Sequence, residues 1–228
     1  MNYVIPVPPV PAVAVDGNGD LFPVRRIFCV GRNYAEHVRE MGKDPDREPP
    51  FFFTKPADAV VADGAEIPYP PATNNFHHEI ELVVALGSAA LEVAEEAALD
   101  CIYGYSVGID LTRRDLQKVA RDMGRPWDCS KAFDNSAPLT AIAPATAVGH
   151  PESRPIWLSV NGETRQEGNI DQMIWSVPEV IATLSRQFHL KPGDLIFTGT
   201  PAGVGPLVAG DSVAGGIDGI GEISISIV

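Results

Sequence analysis

Polar and apolar positions alternate along one stretch of the chain in a way that asks for an explanation. The segment NNFHHEIELVVALG, residues 74–87, reads polar, apolar, polar, apolar from Glu79, then becomes continuously apolar. A period of two predicts a strand over residues 76–86, with Glu79 and Glu81 on one face and Ile80 and Leu82 on the other. Similar patterns predict strands at RIFCVG (26–31), FFFTKP (51–56), GYSVGID (104–110), 157–161, 195–198 and 221–228. Asn161-Gly162 reads as a hairpin turn. Helical spacing predicts NYAEHVREMG, with Asn33 as a candidate cap and Gly42 as the stop, and helices over 93–100, 111–123 and 178–188. Strands outnumber helices without a regular βαβ alternation, and no internal repeat is visible. The fold class expected is α+β.

At 228 residues the chain can enclose one sizeable core. Residues 1–24 are rich in proline and read as an extended N-terminal arm with a turn at DGNGD; residues 25–228 read as the main folded domain. A net charge of −13 argues against nucleic acid and anionic membrane surfaces as partners, while leaving room for a small anionic substrate in a locally positive pocket. Cys29, Cys101 and Cys129 are odd in number and far apart, which fits a reducing cytoplasm better than a disulfide framework. The apolar N-terminus is broken by prolines and lacks a basic leader, so it does not read as a signal peptide. No apolar run approaches the length of a membrane span.

Two glutamates on one strand face repel unless they are protonated, solvated or bridged by a cation. Asp110, at the end of an apolar strand, adds a third carboxylate, and three carboxylates suit a hard cation such as Mg²⁺ or Mn²⁺. The plainer alternative is a wet strand face, with Asp110 capping the following helix. His77 and His78 face opposite sides of a strand, so at most one could join the glutamates, and zinc spacing is lacking. His37 and Glu40 share a helix face, an arrangement suited to activating water or simply to solvent. Arg32 and Tyr34 occupy a strand-to-helix turn fit for an anion. Lys131 could steady an oxyanion or snorkel to solvent. Arg114 and Gln117 share a face just beyond Asp110. TGTPAGVG lacks the lysine of a phosphate loop and reads as a sharp turn presenting Thr200 and backbone N–H groups.

The order of these segments is more specific than any one of them. FCVGRNYAEHVREMG, FTKP, HHEIE, GIDLTRRDLQ, WDCSKAF, VNGETRQ and FTGTPAGVGP, in that sequence, resemble the fumarylacetoacetate hydrolase superfamily, in its acylpyruvase and fumarylpyruvate hydrolase branch. The resemblance spans roughly residues 25–228. It implies a mixed β-roll or sandwich with short helices, a homodimer, and one divalent cation per subunit, Mg²⁺ or Mn²⁺, held by Glu79, Glu81 and Asp110. It implies His37 and Glu40 as the water-activating dyad and Lys131 as a catalytic lysine near the metal. Arg114, Gln117 and Thr200 match positions that contact the substrate, and Arg32 and Lys55 match recurrent positions grouped with them. The implied reaction is hydrolysis of a carbon–carbon bond in a 2,4-diketo acid, fumarylpyruvate first, in aromatic catabolism. Oxaloacetate decarboxylation or tautomerisation, a general acylpyruvase, an isomerase of homoprotocatechuate breakdown, and a metal-binding protein without catalysis are the alternatives.

Overall fold

The computed structural model describes residues 2–36 and 48–228, and structural statements below concern those residues. Strands dominate and form two large sheets. The larger runs in the order Phe51–Lys55, Arg26–Gly31, Asp194–Phe197, Ile80–Leu86, Ile102–Ile109, Ala137–Leu139, Val60–Ala62, with Ala143–Pro144 also pairing to Ile102–Ile109. It is mixed: Asp194–Phe197 lies parallel to Arg26–Gly31 and Ala137–Leu139 parallel to Val60–Ala62, among antiparallel neighbours. The second sheet runs Glu163–Asn169, Pro155–Val160, Ser212–Ile217, Gly221–Ile227, Glu66–Ile67.

The main core includes side chains from both sheets. Ile80, Leu82 and Val84 join Ile156, Leu158, Val213, Ile223 and Ile225, and Val180, Ile181 and Leu184 of helix Val177–Gln187 close the end. Each such side chain contributes about 1.5–3 kcal/mol on burial. A second cluster contains Val83, Ala85, Leu195 and Phe197 with the N-terminal hairpin. Strand Ile80–Leu86 is therefore buried on both faces, as its late continuous apolar run requires. The wet-face alternative for Glu81 is excluded, because that glutamate is 2 % exposed.

The hairpin pairs Ala12–Ala14 with Leu21–Pro23 around the DGNGD turn, and Val13, Val15, Phe22 and Val24 enter the second cluster. Residues 2–10 and the turn at residues 16–21 are exposed without interruption.

Several expected elements change where tertiary pairing competes with local pattern. The strand expected over 76–86 is two strands, Phe76–His78 and Ile80–Leu86, divided at Glu79. The first belongs to a small sheet with Thr112–Arg113 and Gly205–Leu207, the second to the large sheet. The helix expected over 111–123 begins late, as Arg114–Asp122, because Thr112 and Arg113 pair with His77 and Phe76 first. Asp110 therefore does not cap it. The helix expected over 93–100 shrinks to Glu95–Ala98 followed by a 3₁₀ turn, Leu99–Cys101. Helix Val177–Gln187 lies one residue from expectation, with the Ser176 N–H donating to the Glu179 carboxylate at 2.9 Å as in a capping box. Asn161 and Gly162 have φ of 54° and 80°, the primed turn that Asn-Gly favours. Most of the helix expected over NYAEHVREMG, including His37 and Glu40, lies outside the described residues.

Candidate active site

The break at Glu79 is what builds the site. Where the chain passes from the small sheet to the large one, the Glu79 carbonyl accepts from the Asp110 N–H at 2.8 Å, tying together the ends of two neighbouring strands. Glu79 and Glu81 from one segment and Asp110 from the other thereby converge. Each offers an oxygen within 4.8 Å of the others, and all three residues are buried. Three ionised carboxylates in this space are sustainable only with compensating charge.

Part of that charge comes from the chain. Lys131, 2 % exposed, donates to Glu79 Oε2 at 2.8 Å and Asp110 Oδ2 at 2.6 Å. Burial acts to lower its pKa, but Asp110 and Glu79 outweigh that and hold the ammonium above its usual range. Arg114, at the first turn of helix Arg114–Asp122, donates to Glu79 and to the Gln117 side-chain carbonyl. Lys55 lies 2.8 Å from Asp110 Oδ1 and donates to the Leu111 carbonyl at 3.2 Å and to the Lys131 carbonyl.

Two features show room for a further cation. Asp110 Oδ1 is buried and lacks an aligned hydrogen-bond donor, despite the nearby lysine. Burial, reinforced by Asp110 and Glu79, pushes the Glu81 carboxyl well above its ordinary pKa, although Lys131 and the Gly199 N–H oppose the rise. A buried carboxylate in that condition takes either a proton or a metal ion. An all-oxygen donor set of this kind fits Mg²⁺ or Mn²⁺.

Opposite the carboxylates, the 197–201 turn supplies a backbone donor. Gly199 has φ of 100°, and its N–H reaches Glu81 Oε2 at 2.6 Å. A Cβ at Gly199 would lie 2.7 Å from Asn33 Cβ, so this close approach demands glycine. Asn33, the candidate cap, is engaged by other chain segments. Its side chain donates to the carbonyls of Trp175 and Thr198 at 2.9 and 2.8 Å and accepts from the Trp175 N–H at 2.8 Å. It thus joins three chain segments beneath the site.

The cleft is lined by Glu79, Glu81, Asp110, Lys131, Arg114, Gln117, Thr200 and Arg32, with Phe53 and Trp127 at one side. Arg32 sits at φ 59° with its guanidinium 5.4 Å from the Phe51 ring centre, and its buried Nε has no hydrogen-bond acceptor. Lys55 is absent from this lining, and its side chain is 0 % exposed behind Asp110.

Gln166 escaped notice in the sequence beyond its place in VNGETRQ. It lies in a polar, otherwise exposed strand, yet it is 0 % exposed. Its amide nitrogen donates to Thr200 Oγ1 at 2.8 Å and the Pro201 carbonyl at 2.9 Å, and its oxygen accepts from the Ile80 N–H at 3.1 Å. The same oxygen lies 2.9 Å from His78 Nδ1. His78 is thus a buried structural histidine, its pKa lowered chiefly by burial. His77 faces Arg114 and Asn75 at 3.4 and 2.8 Å, and burial together with the Arg114 charge lowers its pKa to about 4. Neither histidine belongs to the carboxylate cluster.

Comparison with known proteins agrees with this arrangement. Residues 26–228 match the family described as Fumarylacetoacetate (FAA) hydrolase C-terminal. A fumarylpyruvate hydrolase of a Ralstonia species is 49 % identical over 189 residues, covering 82 % of this chain and 98 % of its own. The human mitochondrial oxaloacetate tautomerase FAHD1 is 42 % identical over 203 residues, covering 89 % of this chain and 91 % of its own. The crystal structure of fumarylpyruvate hydrolase from Pseudomonas aeruginosa, in complex with Mn²⁺ and pyruvate, superposes with a TM-score of 0.98 at 53 % identity, covering 100 % of this chain and 99 % of the other. With its sheets, its carboxylate cluster and nearly its whole length accounted for, the chain belongs to the fumarylacetoacetate hydrolase family.

Proposed function

We propose that this protein is a metal-dependent hydrolase of 2,4-diketo acids that cleaves fumarylpyruvate to fumarate and pyruvate. The observation that carries the reading is the convergence of Glu79, Glu81 and Asp110 in one cleft with Lys131, Arg114, Gln117 and Thr200. The carboxylates would hold one Mg²⁺ or Mn²⁺ per subunit. When bound, that cation supplies Lewis acidity, typically several kcal/mol of transition-state stabilisation.

The chain's own residues divide the remaining work. Arg114 and Gln117, already joined side chain to side chain, present donors suited to a substrate carboxylate, and Thr200 is braced by Gln166 to face the same end. Breaking the C3–C4 bond releases an electron pair that must flow onto the 2-keto oxygen as an enolate. The Lys131 ammonium, kept charged by Glu79 and Asp110, stands beside that developing charge and can also serve the oxyanion formed at C4. His37, supported by Glu40, takes the proton of the water that attacks C4; their H-x-x-E spacing is the basis for that assignment. Proton return to C3 gives pyruvate. We place the enzyme in the cytoplasm as a homodimer acting in aromatic catabolism.

A second reading, oxaloacetate tautomerisation or decarboxylation, is favoured by the 42 % identity to the human tautomerase. It uses the same carboxylate cluster but no attacking water. Assay of metal-stripped protein, reloaded with Mn²⁺ or Mg²⁺, against fumarylpyruvate, maleylpyruvate, acetylpyruvate and oxaloacetate separates the two. Equimolar fumarate and pyruvate released fastest from fumarylpyruvate supports hydrolysis, whereas faster turnover of oxaloacetate overturns it. His37→Ala should abolish hydrolysis and leave Mn²⁺ affinity largely intact.

A further inference from the structure

Fumarylpyruvate carries two carboxylates, and the residues assigned so far receive one of them. Three cationic side chains line the cleft: Lys131, Arg114 and Arg32. Lys131 is ion-paired with Glu79 and Asp110, and Arg114 with Glu79. Arg32 has no carboxylate partner among the described residues, and its buried Nε has no acceptor. An arginine with a purely structural role fills its fork, as Arg26 does on the Asp194 carboxylate and the His189 carbonyl, at 3.0 Å each. A planar guanidinium that faces a cleft without an acceptor is a site for an anion.

The local backbone holds that guanidinium in place. Arg32 sits at φ 59°, a strained conformation for a residue with a side chain. The preceding Gly31 lets the Phe51 ring lie against the chain, since a Cβ there would come within 2.0 Å of that ring. The Arg32 guanidinium stands 5.4 Å from the Phe51 ring centre, and Phe51 meets Trp127 edge-on at 5.2 Å. Trp127 in turn meets Phe53 at 5.5 Å, and the Phe53 ring centre lies 5.1 Å from Lys131 Nζ. A series of aromatic contacts thus runs from the lysine of the carboxylate cluster to Arg32. Beside it, Phe51, Phe53 and Trp127 line a cavity of about 350 Å³. Flat rings suit a flat, conjugated acyl chain, and by excluding water they strengthen the attraction of a nearby cation for an anion.

We propose that Arg32 binds the carboxylate at the acyl end of the substrate, so that the site selects acylpyruvates with two negative charges over those with one. The inference rests on the hydrolase reading and deepens it. Arg114 and Gln117 take the pyruvyl carboxylate, the aromatic rings take the acyl chain, and Arg32 takes its far end. Net charge gives the assignment its weight: at −13 the chain repels a dianion, so each carboxylate of the ligand needs a cation of its own.

The test compares fumarylpyruvate with acetylpyruvate, which lacks the second carboxylate, on the Mn²⁺-loaded enzyme. Arg32→Met removes the charge at nearly constant length. Arg32→Gly removes the side chain at a φ that glycine adopts freely, which guards against a folding defect in the first variant. Both should lower kcat/KM for fumarylpyruvate by about 10- to 100-fold, mostly through KM, and alter that for acetylpyruvate by less than about threefold. Arg32→Lys should recover part of the loss. An equal fall for both substrates, or no fall for fumarylpyruvate, overturns the proposal. A binding measurement separates it from the hydrolase reading. Fumarate titrated into protein saturated with Mn²⁺ and pyruvate should bind wild type about tenfold or more tightly than Arg32→Met, with pyruvate affinity the same in both. If fumarate binding shows that dependence while no acylpyruvate is hydrolysed, the role of Arg32 stands and the hydrolase reading falls. If hydrolysis proceeds and fumarate binding ignores Arg32, the hydrolase reading stands and the role of Arg32 falls.

Discussion

Lys55→Met should be among the most damaging single changes outside the large hydrophobic core, and its size follows from the geometry. The ammonium is 0 % exposed and 2.8 Å from Asp110 Oδ1. At an effective dielectric of about 20, two unit charges at that separation attract by roughly 6 kcal/mol, partly offset by desolvation. Methionine is unbranched and of similar length, so the packing against Phe133 is largely kept while the charge and two donors to carbonyls are lost. Removing one member of a buried pair typically costs about 3–5 kcal/mol; Asp110 keeps Lys131 at 2.6 Å on its other oxygen, which places this loss toward the lower end. We expect a loss in that range by urea denaturation at pH 7 in EDTA. Repeating the measurement in saturating Mn²⁺ should shrink the deficit, since a dication among the carboxylates replaces the missing positive charge near Asp110. A loss under about 1 kcal/mol in EDTA would refute the buried-pair energetics. An identical loss with and without Mn²⁺ would show that Lys55 and the cation site are not coupled.

Mn²⁺ itself should raise the wild-type unfolding free energy by about 2.7 kcal/mol at a hundredfold excess over Kd, and Glu81→Gln should abolish most of that gain in the same titration. Gly199→Ala forces a Cβ to 2.7 Å from Asn33 Cβ at φ 100°; we expect a loss of about 2–4 kcal/mol in chemical denaturation and weakened Mn²⁺ binding, as the N–H to Glu81 is displaced. Asp115→Ala tests a pH dependence. Partial burial raises the Asp115 pKa, but hydrogen bonds from Thr73 Oγ1 at 2.6 Å and from the N–H groups of Asn74 and Leu116 outweigh it, so the folded value lies below the unfolded one. Its contribution is therefore fully present above the unfolded pKa of about 3.9 and disappears as pH falls through the folded value. After allowance for solvent screening the variant should cost about 1 kcal/mol or less at pH 7, and the thermal-melt difference from wild type should narrow as pH falls below about 3.9.

Much of this protein could be read from the chain because local chemistry and the final fold agree. Strand Arg26–Gly31 and the Asn161-Gly162 turn follow from apolar runs and turn residues that no tertiary contact had reason to override. Glu79, Glu81 and Asp110 stood out because carboxylates beside apolar strands need a counter-charge wherever they fold. Tertiary structure alone decided that Glu79 sits at the crossing between two sheets, and that Thr112 and Arg113 pair as a strand before their helix begins. Both outcomes depend on hydrogen-bond partners more than thirty residues away, which a hydropathy pattern cannot encode. The same holds for Lys55 and Gln166. The family resemblance grouped Lys55 with substrate-contact positions and left Gln166 unassigned, and only the assembled sheets show the first neutralising Asp110 from behind and the second joining His78, Ile80 and Thr200. Residue type set which charges the chain must bury, and the packing of distant strands set which partners could make that burial stable.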